Sequence, residues 1–461
     1  MKGKKAVPLP EVEMPDAGEI PEGWTNVLLG DVCTHPQYGW TTSTDHNPDG
    51  LKIVRTSDIS SGKIDWSTVP SCVLEPDNIE KYLLKSGDIL ISRAGSVGTS
   101  YKIQDCPRAV FASYLIRFRA LDSIDTDYLE YFLKSRQYWD SIANETIGIT
   151  IPNVNASKLK NIPIPLPPLA EQQRIVARVE DLLTHVDAAR DRLSRVPLIM
   201  KRFRQAVLAA ACSGRLTEGW REENPDVESG SQLLERLTDS RKKIKKIGKT
   251  FEDNTFFEKF PELPITWTWS TIQQISERVT VGHVGPMKNE YRSEGIPFLR
   301  CQNVRENYFD AKGLVFISLE FHESLKKSAL EPGDLVVVRS GNVGVCCVIP
   351  ESLTEANCSD LVVVKQPFGI VPKFGAYYVN SLAQQWIDLG TVGIALSHFN
   401  TKSVATLPIP LPPLAEQYEI VRRVGLLFER ADAFDQEVVA AGRRCERLTQ
   451  AVLGKAFAGK L

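Results

Sequence analysis

The decapeptide "PIPLPPLAEQ" at Pro163–Gln172 recurs letter for letter at Pro408–Gln417. Ten identical residues do not recur by accident, so the chain carries an internal duplication. Landmarks on either side keep a nearly constant offset. "IVRTSDI" (Ile53–Ile59) answers "FLRCQNV" (Phe298–Val304), which sets Arg55 opposite Arg300. "GDILISRAGSVG" (Gly87–Gly98) answers "GDLVVVRSGNVG" (Gly333–Gly344), with Arg93 opposite Arg339. "QAVLAAACSGRL" (Gln205–Leu216) answers "QAVLGKAFAGKL" (Gln450–Leu461), and "PEGW" (Pro21–Trp24) is loosely matched by "PITW" (Pro264–Trp267). A repeat this long, in two copies, is not a solenoid. It restricts the fold to two similar halves.

Within each copy the texture changes at the decapeptide. Upstream, short apolar runs such as "LKIVRTSDI", "DILISR" and "AVFASYLIRFRA" alternate with Gly, Asp and Ser punctuation and predict strands and tight turns. "DTDYLEYFLKSRQYWDSI" carries the helical period and an Asp start, so a helix is predicted among the strands. Downstream, Ile175, Val179, Leu182, Val186, Ala189, Leu193, Val196, Met200, Phe203 and Val207 follow alternating spacings of four and three. Ile420, Val424, Leu427, Ala431, Phe434, Val438, Ala441, Cys445, Leu448 and Val452 hold the same register. Such heptads predict a coiled-coil seam, whereas a helix lying on its own domain would show a wider apolar stripe. A single seam would stay wet, so the two helices are expected to pair, antiparallel, within the molecule. Each would be on the order of 55–60 Å long. Pro197 and Gly442 stand at equivalent positions and predict a bend or interruption in both helices.

The prolines of the decapeptide cannot enter a central sheet or a helix interior, so the stretch is expected to be a stiff, extended strut that mounts each globular domain on its helix. Glu171 then falls in the first helical turn, where a carboxylate suits the helix dipole. The alternative use of the prolines is as a ligand for a partner's aromatic groove. The expected organisation is a flexible lead-in (1–20), a mixed α/β domain (21–162), a strut and helix (163–216), a polar linker (217–263), a second α/β domain (264–407) and a second strut and helix (408–461). The linker is expected to hold a short helix from about Ser231 that ends in the basic run Arg241–Lys246, a solvated face or a phosphate contact.

Composition narrows the function. With 461 residues, 43% hydrophobic and 24% charged, the chain has the make-up of a soluble protein of several domains. It shows no membrane-spanning run, and its N-terminus lacks the apolar core of a signal peptide. Nine cysteines without CxxC pairs argue for buried thiols in a reducing cytoplasm. The net charge of −2 announces no nucleic-acid binder, and acidic residues slightly outnumber basic ones between Pro21 and Ile162, so any phosphate contacts must come from local clusters or from partners. No P-loop, His/Cys metal cluster, G-x-S-x-G elbow or methyltransferase loop is present. "NPDG" (Asn47–Gly50) and "IPNV" (Ile151–Val154) are turns, and "RAGSVG" and "RSGNVG" are read as hairpin turns rather than phosphate cradles. A stand-alone nuclease or methyltransferase is therefore disfavoured.

The layout resembles the DNA-specificity subunit of type I restriction-modification enzymes over essentially its full length. The doubled decapeptide and its heptads carry the resemblance, with "KRFRQAVLAAACSGRLTEGW" (Lys201–Trp220), "AVLGKAFAGKL" (Ala451–Leu461), "PEGW" and the two Gly-Asp segments. It implies two target recognition domains alternating with two long helices, which form an intramolecular antiparallel coiled coil of pseudo-two-fold symmetry. It implies a non-catalytic chain in which each domain reads one half of a split, asymmetric site in double-stranded DNA. The helices would set the spacing and dock modification subunits, two of them, together with restriction subunits. S-adenosylmethionine, ATP and Mg are expected on those partners, no cofactor or metal on this chain, and the location is cytoplasmic with no membrane contact. The second copy stops at Leu461, the mate of Leu216, whereas the first continues into "TEGWREENPD", so a shortened C-terminus is also expected. The rival class is a two-domain protein-interaction scaffold that never touches DNA.

The family's base-reading positions are not a fixed motif, so donors and acceptors suited to base edges are nominated by chemistry. In the first domain these are Arg55, Arg93, Asn153 and Asn155, with Tyr38 and Trp40 in the loop "HPQYGWTTSTDH" (His35–His46). In the second they are Arg300, Gln302, Arg339, Asn342, His398 and Asn400, with His283 in the counterpart loop "VTVGHVGPMKNEY" (Val279–Tyr291).

Overall fold

In a computed structural model of the chain, the proline strut is a strand. The structure describes residues 21–146, 153–242, 261–287, 289–389 and 400–461. The lead-in, most of the basic run after Lys242, and His398 lie outside the described residues. Pro163–Leu166 pairs antiparallel with Thr25–Leu28, setting Pro163 across from Leu28, Ile164 from Val27 and Pro165 from Asn26. Prolines therefore occupy one parity of a two-stranded ribbon, where the missing N–H is not required by the ladder. Pro408–Leu411 pairs with Thr268–Thr271 in the same register. The strut is extended as expected, but it is held by a partner strand rather than by proline stiffness alone.

Contacts divide the chain into two compact units, one of residues up to Arg195 plus Glu437–Leu461, the other of Val196–Gln436. Each globular part holds the same two four-stranded sheets. In the first, Gln37–Tyr38, Leu115–Phe118, Ile89–Ser92 and Ser100–Lys102 lie in that order, all antiparallel. The other sheet orders Thr44–Asp45, Ser71–Cys72, Lys52–Val54 and Ala109–Phe111, whose last two strands run parallel. The second part repeats this with Ser276–Val281, Leu361–Pro367, Leu335–Val338 and Cys346–Val348, and with Tyr291–Arg292, Val315–Ile317, Ile296–Leu299 and Asn357–Cys358. The two "GD" segments thus begin central strands. The glycine loops after them are hairpin turns, with Gly95 and Gly98, and Gly341 and Gly344, at positive φ.

The helix expected over Asp125–Ile142 is broken into Thr126–Phe132 and Arg136–Thr146. Asp125 caps the first piece, its carboxylate accepting from the Asp127 and Tyr128 N–H groups. Tyr128, Phe132 and Tyr138 are thereby all turned into the core. The linker helix spans Gly230–Lys242.

The two long helices, Leu169–Cys212 and Leu414–Phe457, have 44 residues each, about 66 Å at 1.5 Å per residue. Both are continuous, so of the bend or interruption expected at Pro197 and Gly442 the interruption does not occur. Pro197 sits inside the helix on an exposed face, where loss of one hydrogen bond, to Leu193, is tolerated beside water. Within the first unit, Ile175 and Val179 share a core with Leu453, Ala456 and Phe457. Within the second, Val207, Leu208 and Ala211 share one with Ile420 and Val424, and Arg204 reaches Asp432 and Asp435 at 2.5 and 2.9 Å. In each unit the start of one helix is thus packed with the end of the other, the antiparallel arrangement. The seam is correct in trend but not at every position: Phe203, Phe434 and Leu448 are 37, 47 and 55% exposed, while Leu183 is buried in place of Leu182.

Both mounts are locked by the decapeptide's last residue. Gln172 is fully buried; its amide oxygen accepts from Asp125 N–H at 2.7 Å and its amide nitrogen donates to the Pro167 and Ser123 carbonyls. Gln417 does the same with Val371 N–H and the Gly369 and Pro412 carbonyls. The helix C-termini end on tight glycines that abut the opening Pro-Trp pair. A Cβ on Gly214 (φ 78°) would lie 2.5 Å from Pro264, and one on Gly459 (φ 64°) 2.4 Å from Pro21. In the second unit, buried Glu416 also accepts from Thr217, Arg221 and the Trp267 indole, which anchors the start of the linker.

No helix among the described residues is long and apolar enough to cross a membrane.

Candidate nucleic-acid interface

The nominated residues come from segments far apart in sequence, and one short turn gathers them in each domain. In the first domain it is Ala112–Tyr114, between the strands Ala109–Phe111 and Leu115–Phe118. Ala112 N–H donates to Val54, beside Arg55; Ser113 N–H donates to the Trp40 carbonyl; and Arg93 N–H donates to the Tyr114 carbonyl at 2.9 Å. The Asn153 segment joins through Val154 N–H on the Arg93 carbonyl and Ala156 N–H on the Tyr38 hydroxyl. The backbone segments that carry Tyr38, Trp40, Arg55, Arg93, Asn153 and Asn155 are therefore brought together around one turn.

The second domain repeats the device at Cys358–Asp360. Ser359 N–H donates to Leu299, beside Arg300; His283 N–H donates to the Cys358 carbonyl; and Asp360 N–H donates to the His283 carbonyl. The Asp360 carboxylate lies 3.3 Å from Arg339 Nε and accepts from the Ser340 hydroxyl. Gly39 and Gly282 make these approaches possible, because a Cβ at either would press on the turn's carbonyls at 2.3 and 2.8 Å. The loops "HPQYGW" and "VTVGHV" are counterparts, as their sequences suggest.

Side-chain geometry separates the nominees. Arg93 lies over the Tyr38 ring, 5.1 Å to its centroid. Trp40 donates to the Leu74 carbonyl and leans on Tyr82. Arg55 is doubly bonded to Asp58, whose carboxylate holds the guanidinium pKa above its ordinary value. Arg300 reaches the Gly313 carbonyl and lies over Tyr291, and Gln302 also donates to Gly313. The Asn155 and Asn400 side chains cap short helices, accepting from Lys158 and Ser403 N–H. Asn342 and Asn153 are exposed, and His283 meets Phe321 edge to face.

Tyr114 and Asp360, which lie in the two turns, are not among the residues nominated from the sequence. Their one signal is position: each is a polar-tipped residue immediately before an apolar strand. Sequence reasoning also missed the ion pairs that brace the sheets behind them. Asp88 is buried against Arg119 at 2.6 Å, and Asp334 is buried against Lys365 at 2.6 Å, at matching positions of the repeat.

Among the described residues no group of three or more His, Cys, Asp or Glu could hold a metal. The cysteines are all free, and burial pushes the Cys33 and Cys347 thiols up to about 12, far from the thiolate that nucleophilic chemistry needs.

Comparison with known proteins agrees with the doubled architecture. The family model for the type I restriction modification DNA specificity domain matches twice, over residues 21–197 and 264–432. The chain belongs to that family. It is 28% identical to the type I restriction enzyme EcoKI specificity subunit of Escherichia coli (strain K12), across 96% of this chain and 90% of the relative. It is 30% identical to the EcoBI specificity subunit of Escherichia coli, over 70% of this chain and 64% of the relative. Among solved structures, the HsdS subunit from Thermoanaerobacter tengcongensis superposes with a TM-score of 0.51 at 20% identity, covering 97% of this chain and 99% of that one. A chain from a study of assembly and conformational transition in the type I R-M system gives 0.61 at 20% identity, over 96 and 100% of the two chains. The fold is that of a specificity subunit, and its role is DNA recognition.

Proposed function

We propose that each globular domain reads one half of a bipartite, asymmetric site in double-stranded DNA through its turn-centred surface. The observation that carries this reading is the repetition: Ala112–Tyr114 and Cys358–Asp360 gather the same loops and present an arginine, Arg93 or Arg339, beside them. Arginine is the side chain best matched to guanine O6 and N7, and Asn and Gln to adenine. The helix pair sets the distance between the half-sites and docks two modification subunits, which in turn recruit restriction subunits. Exposed apolar side chains on the helices of the second unit, Leu198, Ile199, Phe203, Leu426 and Phe434, supply a contact surface for helices of such partners. This chain does no chemistry; S-adenosylmethionine, ATP and Mg are assigned to the partners, and the complex to the cytoplasm.

Two measurements test the proposal. Assembled with its modification subunits, the chain should bind duplex DNA with an affinity that falls steeply as salt rises. A genome-wide map of N6-methyladenine should return one two-part motif that disappears when this chain is deleted. Salt-independent assembly without duplex binding would favour the protein-interaction scaffold instead.

A further inference from the structure

We infer that Asp360 is a positioning residue, holding Arg339 in the orientation that donates to guanine and so setting the preference at one position of the half-site read by the second domain. The inference rests on the base-reading surface proposed above. Asp360 is where the segments of that surface meet. Its N–H donates to the His283 carbonyl at 3.2 Å, its carbonyl accepts from the Cys301 thiol at 3.6 Å, and its two carboxylate oxygens face Arg339 Nε and the Ser340 hydroxyl. Cys301 lies between Arg300 and Gln302. One residue therefore ties together the loops of His283, Arg300, Gln302 and Arg339.

Asp360 achieves this at φ 54°, in the left-handed region that side chains other than Gly and Asn/Asp rarely occupy. An exposed ion pair gains too little to sustain such a backbone; the three loops bonded to Asp360 do. The carboxylate lies against Arg339 at Nε, 3.3 Å away, so the pairing does not use the two terminal Nη groups together, the donor pair that guanine O6 and N7 accept from. The pair remains partly open, with Arg339 29% and Asp360 43% exposed. The first domain solves the same problem differently. There the N–H that matches Asp360's belongs to Ser113, which has no carboxylate, and Arg93 is steadied by the Tyr38 ring. Loss of the Asp360 carboxylate should therefore affect one half-site and leave the other as an internal control.

The experiment uses the full chain assembled with its modification subunits, on duplexes varied one base pair at a time across both half-sites. Asp360→Asn and Asp360→Gly both accept the positive φ, so neither forces refolding of the turn. The expected result is a loss of about tenfold in guanine discrimination at one position of the second half-site. The same position should relax in Arg339→Ala, and the first half-site should not change. If Arg339→Ala relaxes a position and both Asp360 variants leave it intact, Asp360 does not position Arg339, although the surface still reads DNA. Uniform weakening on all sequences by both Asp360 variants would make its role purely structural and overturn the inference. If none of the three variants changes any preference, the base-reading surface itself is wrongly placed.

Discussion

At the scale of single residues, the strongest constraint is the one amide that both copies spend on joining helix to domain. Gln172 and Gln417 are fully buried, and each makes three hydrogen bonds across the junction. Removing the side chain takes the partner from a backbone N–H and two carbonyls, at least one of them buried, and an unsatisfied buried group costs roughly 1–3 kcal/mol. Gln172→Ala or Gln417→Ala should lower stability by about 2–3 kcal/mol in a urea or thermal melt. A melt unchanged within half a kcal/mol would show that water satisfies the junction. This explains why the decapeptide's last letter is kept in both copies, which the prolines alone do not. The nominated asparagines show the opposite relation between chemistry and context. Asn155 and Asn400 have the right groups for adenine but spend their side-chain oxygens on helix caps, a use that only the local backbone reveals.

At the scale of elements, the two long helices are amphipathic as the heptads require, yet neither seam is closed along its whole length. Ala431 is 2% exposed, against 47% for Phe434. A carboxylate at a buried position loses hydration without gaining a partner. Ala431→Asp should therefore cost at least about 2 kcal/mol and abolish assembly with modification subunits. Val186→Asp, at a half-buried position, should act in the same direction but less strongly. Phe434→Ser should leave the melting temperature of the isolated chain within error and weaken only the association. Equal melting of the Ala431 and Phe434 variants would mean that the packing assigned to these helices is wrong. The heptad rule places one stripe on an ideal straight helix.

At the scale of the whole molecule, the repeat makes a prediction that no single residue can. The two globular domains share sheet order, glycine hairpins and the loop-gathering turn, and they sit on ribbons of identical register. Replacing Pro264–Leu407 with a second copy of Pro21–Ile162 should preserve both mounts. If the helix pair relates the domains by a two-fold axis, the altered chain should direct methylation to an inverted repeat of the first half-site, because site symmetry mirrors protein symmetry. The spacing should stay near the original, since the helices are untouched. Sequencing the modified adenines would decide it: a direct repeat rules out the two-fold, and retention of the original site rules out domain-encoded recognition.

Local sequence determined a great deal here, because its signals are periodic or repeated. Identity of the decapeptide revealed the duplication, heptad spacing revealed the helices, and glycine placement revealed the hairpins after Ser92 and Val338. These features depend on neighbours within a few residues, and backbone sterics and side-chain period suffice to dictate them. Tertiary structure alone decided that the prolines pair in a ribbon, that the helix after Asp125 breaks, and that the long helices run unbroken through Pro197 and Gly442. It also decided where the candidate site lies. Arg93, Trp40 and Arg55 become neighbours through backbone hydrogen bonds to Ala112–Tyr114, and Arg339, His283 and Arg300 through Cys358–Asp360. Such a turn is ordinary in composition and gains its meaning from the strands that deliver distant loops to it, a long-range consequence of sheet order that no local pattern encodes.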